Sequence, residues 1–367
     1  MAASRAGRPS VLKSKDVKAV SKAGRSTVYN TITSNEKLKE VNADNLQLER
    51  DFLEYLKSTD RADTTVKQYA AVMHVFWCWN LENNNNKYFV DLTKREIAKF
   101  QNHAINEWGW SPRRTRTAKS IMRSLENYVV NILDDEYPDY KKIWDKIESP
   151  VNTAVREKTV LAEEEVEYLL KYLVEAKEYM KACFVALAAY SGRRKSELLR
   201  MKESYFIKYN LICDGALYKT PEKVTTKGRG RKGKLLYIYT LAKPFQPYLD
   251  LWLEQRKELG IKTDWLFPAF EKGKYVGRQM KASTVDSWSK IFTLICRKPF
   301  YIHSLRHNFV TYLSKSGIPD NIIKDLIGWE DVSMVDIYRD TDSEDDFGKY
   351  FGSDGIKNVS ETNLGDL

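Results

Sequence analysis

Cysteine is scarce in this 367-residue sequence, with four in all, and histidine is equally rare. Cys78, Cys183, Cys213 and Cys296 lie far apart and form no C-x-x-C pair. That spacing offers neither a disulfide framework nor a thiolate zinc site, and it reads as reduced thiols in a reducing compartment. No apolar run reaches the roughly 18 residues that a membrane helix needs, and the polar, basic opening is unlike a secretory signal. No membrane partner is expected. There is no Walker-type glycine loop and no acidic cluster suited to Mg²⁺, so no metal or other cofactor is expected. Negative charge is also short: 50 Asp and Glu stand against 60 Lys and Arg, a formal net charge of +10.

What is present can build cores, since 43% of residues are hydrophobic and 30% charged. A basic balance favours an anionic partner, nucleic acid being the commonest, although it equally suits a merely soluble basic protein. The charge is unevenly placed. Residues 1–33 carry Arg5, Arg8, Lys13, Lys15, Lys18, Lys22 and Arg25 against Asp16 alone, whereas Asp340, Asp342, Glu344, Asp345 and Asp346 crowd together near the other end. The body and the N-terminus should attract a polyanion, and the tail should repel one.

Five segments follow from composition and period. Residues 1–43 form a basic arm. Within it, Asp16 to Ile32 reads either as helix, Gly24 turn and helix, or as a tail that touches phosphates non-specifically. Gly7-Arg8-Pro9 suits an AT-rich minor groove. Residues 44–148 read as a helical domain. Leu48, Phe52, Leu53 and Leu56 share one helical face, as do Val66, Tyr69, Ala70, Met73 and Phe76. Asn83 to Asn86 is a turn, Leu92–His103 a further helix, and Ser111-Pro112 a strong helix start. Along that last helix Arg113, Arg116, Lys119 and Arg123 make a basic edge with almost no acidic partners over the first three turns, which suits either DNA phosphates or a solvated face. Residues 149–159 form a linker. A second domain, 160–341, opens with helices at Leu161–Leu173 and Tyr179–Tyr190. Short strands follow near Tyr205–Ile212, Val224–Thr226 and Leu235–Tyr239, and helices return at Thr284–Ile295, Ser304–Ser316, Pro319–Leu326 and Ser333–Tyr338. An acidic tail, 342–367, closes the chain. The fold class expected is mainly α with one small β-sheet, an α+β protein.

Four short signals in the second domain carry chemistry. Ser191-Gly192-Arg193-Arg194-Lys195-Ser196-Glu197-Leu198 stands at a helix end, where a tight glycine turn can present an arginine fork to a phosphate. Lys227 opens a basic, glycine-rich hairpin loop that includes Arg229 and Arg231. His303-Ser304-Leu305-Arg306-His307 begins a helix and places His303 and Arg306 on one face. Gly328-Trp329 precedes Tyr338 by a fixed interval. Two arginines, a histidine, a lysine and a tyrosine suit phosphoryl transfer. Fixed cations stabilise the non-bridging oxygens without a metal, and a phenol can attack phosphorus covalently.

Together these signals resemble the tyrosine recombinase (phage integrase) family, whose boxes read G-x-R-x-S-E-L, a hairpin Lys, H-x-L-R-H, and L-G-H/W followed by Tyr. The resemblance covers about 155–345, and the helical unit looks like that family's SAM-like core-binding domain. It implies that Arg194 and Arg306 clamp the scissile phosphate. His303 serves as base or donor beside the phenol, and Lys227 protonates the leaving 5′-oxygen. Tyr338 attacks to give a 3′-phosphotyrosyl link. Lys223, Lys232 and Lys234 share the hairpin and stay open as alternatives to Lys227. Trp329 stands where many members have His, as in the Cre-type set; its indole can donate a hydrogen bond but cannot shuttle a proton. Arg193 and Lys195 occupy places that are usually apolar, and they read either as further phosphate contacts or as exposed charges. His307 and Glu197 read as structural, and His74 and His103 receive no role. The implied function is site-specific recombination through a Holliday junction, by a tetramer on double-stranded DNA whose tail docks on a neighbouring subunit. A type IB topoisomerase and a non-catalytic DNA binder are the alternatives. The compartment expected is the cytoplasm, at the nucleoid, or the nucleus for a eukaryotic origin.

Overall fold

Helix boundaries in the first domain are set by side chains that pair the otherwise orphaned N–H groups of each first turn. In the computed structural model, which describes residues 32–151, 161–228, 230 and 233–339 together with the backbone of 351–352 and 355–356, Ser34 Oγ accepts from Lys37 N at 3.1 Å to start α1 (Asn35–Glu40). Asn42 Oδ1 accepts from Asp44 N at 2.8 Å to start α2 (Ala43–Ser58). After α3 (Asp63–Asn83), Thr93 and Glu96 form a reciprocal capping box for α4 (Lys94–Asn106). Ser111 caps α5 (Pro112–Ile132), with Pro112 in the first turn. The asparagine turn works as an anchor: Asn86 accepts from Asn42 N at 2.9 Å and donates to Glu40 O at 2.9 Å.

These helices bury Leu48, Phe52, Met73, Phe76, Trp77, Trp79, Phe100, Met122, Leu125 and Trp144 in one aromatic-rich core. Phe76 meets Phe100 edge-on with ring centroids 4.9 Å apart. Two carboxylates inside this core hold neighbouring donors. Glu49 takes Trp77 Nε1 at 2.7 Å and His74 Nε2 at 2.8 Å. Glu126 takes the backbone N–H groups of Ile143 and Trp144 at 2.6 and 3.0 Å, which pins the segment that follows α5.

The described residues fall into two compact units. This helical one takes in Lys227, Gly228, Gly230, Gly233 and Lys234, and the other runs over 161–226 and 235–339. In the second unit, α6 (Glu163–Glu175) packs on α7 (Tyr179–Ser191), and α10 (Ala282–Cys296) packs on α6 and meets α7 through Trp288 against Phe184. Helix α7 is apolar all round, and Ala182 to Ala189 are buried without interruption, as a central helix must be. Gly192, at φ +59°, ends α7. A Cβ there would stand 2.5 Å from Phe309 Cδ1 and 2.9 Å from Ile327 Cδ1, so only glycine fits the turn into the one-turn helix α8 (Lys195–Leu198). Helices α11 (Ser304–Lys315), α12 (Asp320–Ile327) and α13 (Ser333–Tyr338) enclose a smaller core of Phe309, Val310, Ile323, Ile327, Trp329 and Val335.

Between α8 and α10 the structure departs from expectation. The strand expected over Tyr205–Ile212 is mostly two 3₁₀ turns, Glu203–Tyr205 and Lys208–Asn210, and only β1 (Leu211–Ile212) is extended. Instead of one sheet there are several. β1, β2 (Leu217–Lys219) and β5 (Tyr239–Leu241) form one, β3 (Val224–Thr226) with β4 (Lys234–Leu236) a second, and β6 (Pro268–Glu271) with β7 (Lys274–Gln279) a third. A long helix, α9 (Ala242–Glu258), was not expected. Backbone pairing of β8 (Phe351–Gly352) with β9 (Gly355–Ile356) is described in the acidic tail. The arm to residue 31, the linker from 152, Arg229, Arg231 and the rest of the tail lie outside the described residues.

Candidate active site

Three chain segments converge on Tyr338 within the second unit. The turn at Gly192 delivers Arg194, which is extended at the start of α8 and partly exposed. Its backbone N–H donates to Glu197 Oε2 at 3.2 Å, and its Nη1 donates to Glu197 Oε1 at 3.1 Å. Glu197 is 0% exposed, so this carboxylate acts as a buried brace for the arginine. The first turn of α11 supplies Arg306, also 0% exposed, whose Nη1 donates to Gly192 O at 3.1 Å. Its Nε and Nη2 are buried without a hydrogen-bond partner. Burial, followed by the neighbouring Arg194, pulls its pKa down to about 10.

The third segment is the loop from α12 to α13. Gly328 turns the chain at φ +76°, and just before α13 Asp331 Oδ1 accepts from Ser333 N at 2.9 Å. Trp329 is almost wholly buried and its Nε1 has no partner. The Arg306 guanidinium lies 4.8 Å from the centre of the Trp329 ring and 5.3 Å from that of Tyr338. Tyr338 ends α13 and is 8% exposed. Its ring packs 4.4 Å from His307 and 4.9 Å from Trp329, and its hydroxyl stands 3.0 Å from His303 Nε2. Partial burial, then Arg306, His307 and Arg194 nearby, hold the His303 pKa down at about 4, so its imidazole is neutral at neutral pH. Buried donors left unpaired are rare and costly. Here Arg306 Nη2 and Trp329 Nε1 collect beside a phenol, an arrangement able to receive an oxyanion next to a nucleophile.

The structure thus brings together Arg194, His303, Arg306, Trp329 and Tyr338. Lys227 is exposed and heads the segment that groups with the helical unit. Arg193, read as a phosphate contact or an exposed charge, is neither: it is 1% exposed and donates to the carbonyls of Leu326, Ile327 and Tyr237. Lys195 pairs with Asp286 at 2.5 Å. Sequence reasoning missed the role of Arg193, and the only clue was an arginine where an apolar residue is usual.

On the helical unit the basic edge is largely engaged. Arg123 pairs with Asp145, Lys119 donates to Ile147 O and to Ser149 Oγ, and Arg116 donates to Pro150 O at 3.2 Å. Arg123 takes its acidic partner from outside α5, because the chain folds back after that helix. Arg113 is exposed and, with Gln68, Tyr69, Arg116, Thr117 and Ser120, lines an open pocket of about 600 Å³. No described helix is long and apolar enough to cross a membrane. Among the described residues no group of three or more His, Cys, Asp or Glu could hold a metal ion.

The profile of the Phage integrase family matches residues 159–345, and that of the phage integrase N-terminal SAM-like domain matches 48–139. The SPbeta prophage-derived recombinase-like protein YomM of Bacillus subtilis is 26% identical over 264 residues, covering 71% of this chain and 76% of its own. A tyrosine recombinase of Thermosipho africanus is 26% identical over 305 residues, 81% of this chain and 95% of its own. The lambda integrase tetramer bound to a Holliday junction shares the fold at a TM-score of 0.56 with 16% identity, covering 80% of this chain and 76% of that one. With four expected site residues gathered round Tyr338 and a family profile spanning just over half of its length, the chain belongs to the phage integrase family, the tyrosine recombinases.

Proposed function

We propose that this enzyme recombines duplex DNA at specific sites by cleaving and rejoining strands through Tyr338. The 3.0 Å approach of His303 Nε2 to the Tyr338 hydroxyl carries this reading. Arg194 and Arg306 hold the non-bridging oxygens of the scissile phosphate, with the Trp329 indole N–H as a further donor. The phenol proton passes to the neutral His303 imidazole as the Tyr338 oxygen bonds to phosphorus. The bond from phosphorus to the 5′-oxygen breaks, and Lys227 supplies the proton that the departing oxygen needs. The products are a 3′-phosphotyrosyl link and a free 5′-hydroxyl. Because the ester is kept, attack by a 5′-hydroxyl reverses the step without an energy source.

Net charge of +10 supports a DNA partner. Arg113 is the member of the basic edge best placed for a phosphate. Arg116, Lys119 and Arg123 reach DNA by exchanging their present partners, and Arg229 and Arg231 add contacts from the hairpin loop. Two rounds of exchange in a tetramer pass through a Holliday junction, and the acidic tail docks on the neighbouring subunit. The lambda integrase assembly supports the tetramer, and the bacterial relatives support a cytoplasmic, nucleoid-associated enzyme. Supercoiled plasmids with and without paired target sites test the reading. Recombinant circles only from the paired-site plasmid are expected. Relaxation of the site-free plasmid would instead indicate a type IB topoisomerase, and binding without any new topology would indicate a non-catalytic protein.

A further inference from the structure

The end of α12 explains why a charged side chain is buried at position 193. A helix leaves its last carbonyls without backbone partners. Gly328 closes this one with a Schellman turn: Trp329 N–H donates to Lys324 O at 2.9 Å, and Gly328 N–H donates to Asp325 O at 3.1 Å. That arrangement serves Lys324 and Asp325 and leaves Leu326 and Ile327. The Arg193 fork takes both, with Nη2 donating to Leu326 O at 2.7 Å and Nη1 to Ile327 O at 2.9 Å. A cation also suits the negative pole at a helix C-terminus.

The same guanidinium reaches further. Nη2 donates to Tyr237 O at 3.3 Å, in the connection that follows β4. A Cβ on Gly328 would collide with Leu236 Cδ1 and lie 3.6 Å from Arg193 Nη1, so the strand packs closely on the turn. Arg193 shares a peptide bond with Arg194. One planar fork therefore joins the turn that delivers Arg194, the exit of the basic hairpin, and the turn that launches Trp329 and Tyr338.

We infer that Arg193 is a positioning residue, fixing the turn 326–329 and hence Trp329 and Tyr338 against the phosphate-binding Arg194. This rests on the reading of Tyr338 as nucleophile. Lysine at 193 keeps the charge but not the fork, and methionine leaves both carbonyls without a donor. The consequence belongs to the rate of attack and not to DNA affinity, because a small misplacement of a nucleophile costs rate steeply.

The test compares wild type, Arg193→Lys, Arg193→Met and Tyr338→Phe on a nicked suicide substrate, in an ordinary form and in one with sulfur as the 5′-bridging atom. A thiolate leaves without a proton, so the sulfur substrate bypasses the general acid but not the placement of the phenol. Both Arg193 variants should bind DNA within about threefold of wild type and form the covalent complex at least about tenfold more slowly, Lys less severely than Met. The deficit should persist on the sulfur substrate. Wild-type rates at equal occupancy would overturn the inference. So would rescue by sulfur, which would place the effect at the hairpin, or loss of folding in both variants, which would leave a role in stability alone. If wild type itself forms no Tyr338-dependent complex, the nucleophile reading fails instead. Amide exchange then decides the Arg193 assignment: loss of protection at Gly328 and Trp329 with α7 unchanged supports it, and unchanged protection overturns it.

Discussion

A neutral imidazole facing a phenol at 3.0 Å is the residue-scale basis of the proposed chemistry. It is neutral because partial burial and nearby Arg306, His307 and Arg194 disfavour the proton. The free enzyme's His303 should therefore titrate near 4 when its ring protons are followed by NMR. Duplex DNA should move that value upward, because a bound phosphate offsets the arginines. A free-enzyme value at or above the ordinary 6.5 would contradict this account. The linkage has a definite sign. The unfolded chain takes up this proton first, so the His303 contribution to stability is complete above about 6.5 and declines as pH falls from there towards 4. The identities of Arg194, His303, Arg306, Trp329 and Tyr338 were legible in the sequence because the boxes fix their order and spacing. The burial of Arg193 was not, because it depends on which carbonyls the end of α12 leaves unpaired.

At the scale of elements, the joint between α7 and α8 is a tightly constrained piece of backbone near the site. Gly192 is left-handed and crowded by Phe309 and Ile327. Gly192→Ala should destabilise the protein by about 1–3 kcal/mol, from backbone strain and displaced neighbours. It should also slow cleavage, since Arg194 and the carbonyl that accepts from Arg306 both hang from this turn. Calorimetry with single-turnover cleavage checks both effects, and a variant as stable and as fast as wild type would refute the constraint. Amphipathic helices were readable from their period: Ser333–Tyr338 was expected and found with identical ends, and the others agree within a few residues. Helix α9 was hidden by its prolines. Pro244 falls in the first turn, where no donor is needed, and Pro247 gives up one bond inside a helix held by Phe245, Leu249 and Trp252 in the core. Strands of two or three residues are too short to show a period, which is why the sheets were miscounted.

For the whole molecule, excess positive charge predicts that affinity for DNA comes mainly from phosphate contacts. Binding should weaken by several orders of magnitude between about 50 and 200 mM salt, and a flat response in a fluorescence titration would count against it. The division read from period and composition was a helical domain followed by a catalytic domain, and the two family profiles match residues 48–139 and 159–345. The grouping of Lys227 with the helical unit was not legible there, since sequence neighbours alone assign it to the catalytic domain. The central claim is that Tyr338 breaks the strand by bonding to it, and covalent trapping tests it most directly. Wild type and Tyr338→Phe are each incubated with a nicked suicide substrate made from the DNA flanking the coding sequence, denatured, and resolved by size. A protein–DNA band with wild type that is absent with Tyr338→Phe is the expected result, and a band that persists in Tyr338→Phe would contradict it.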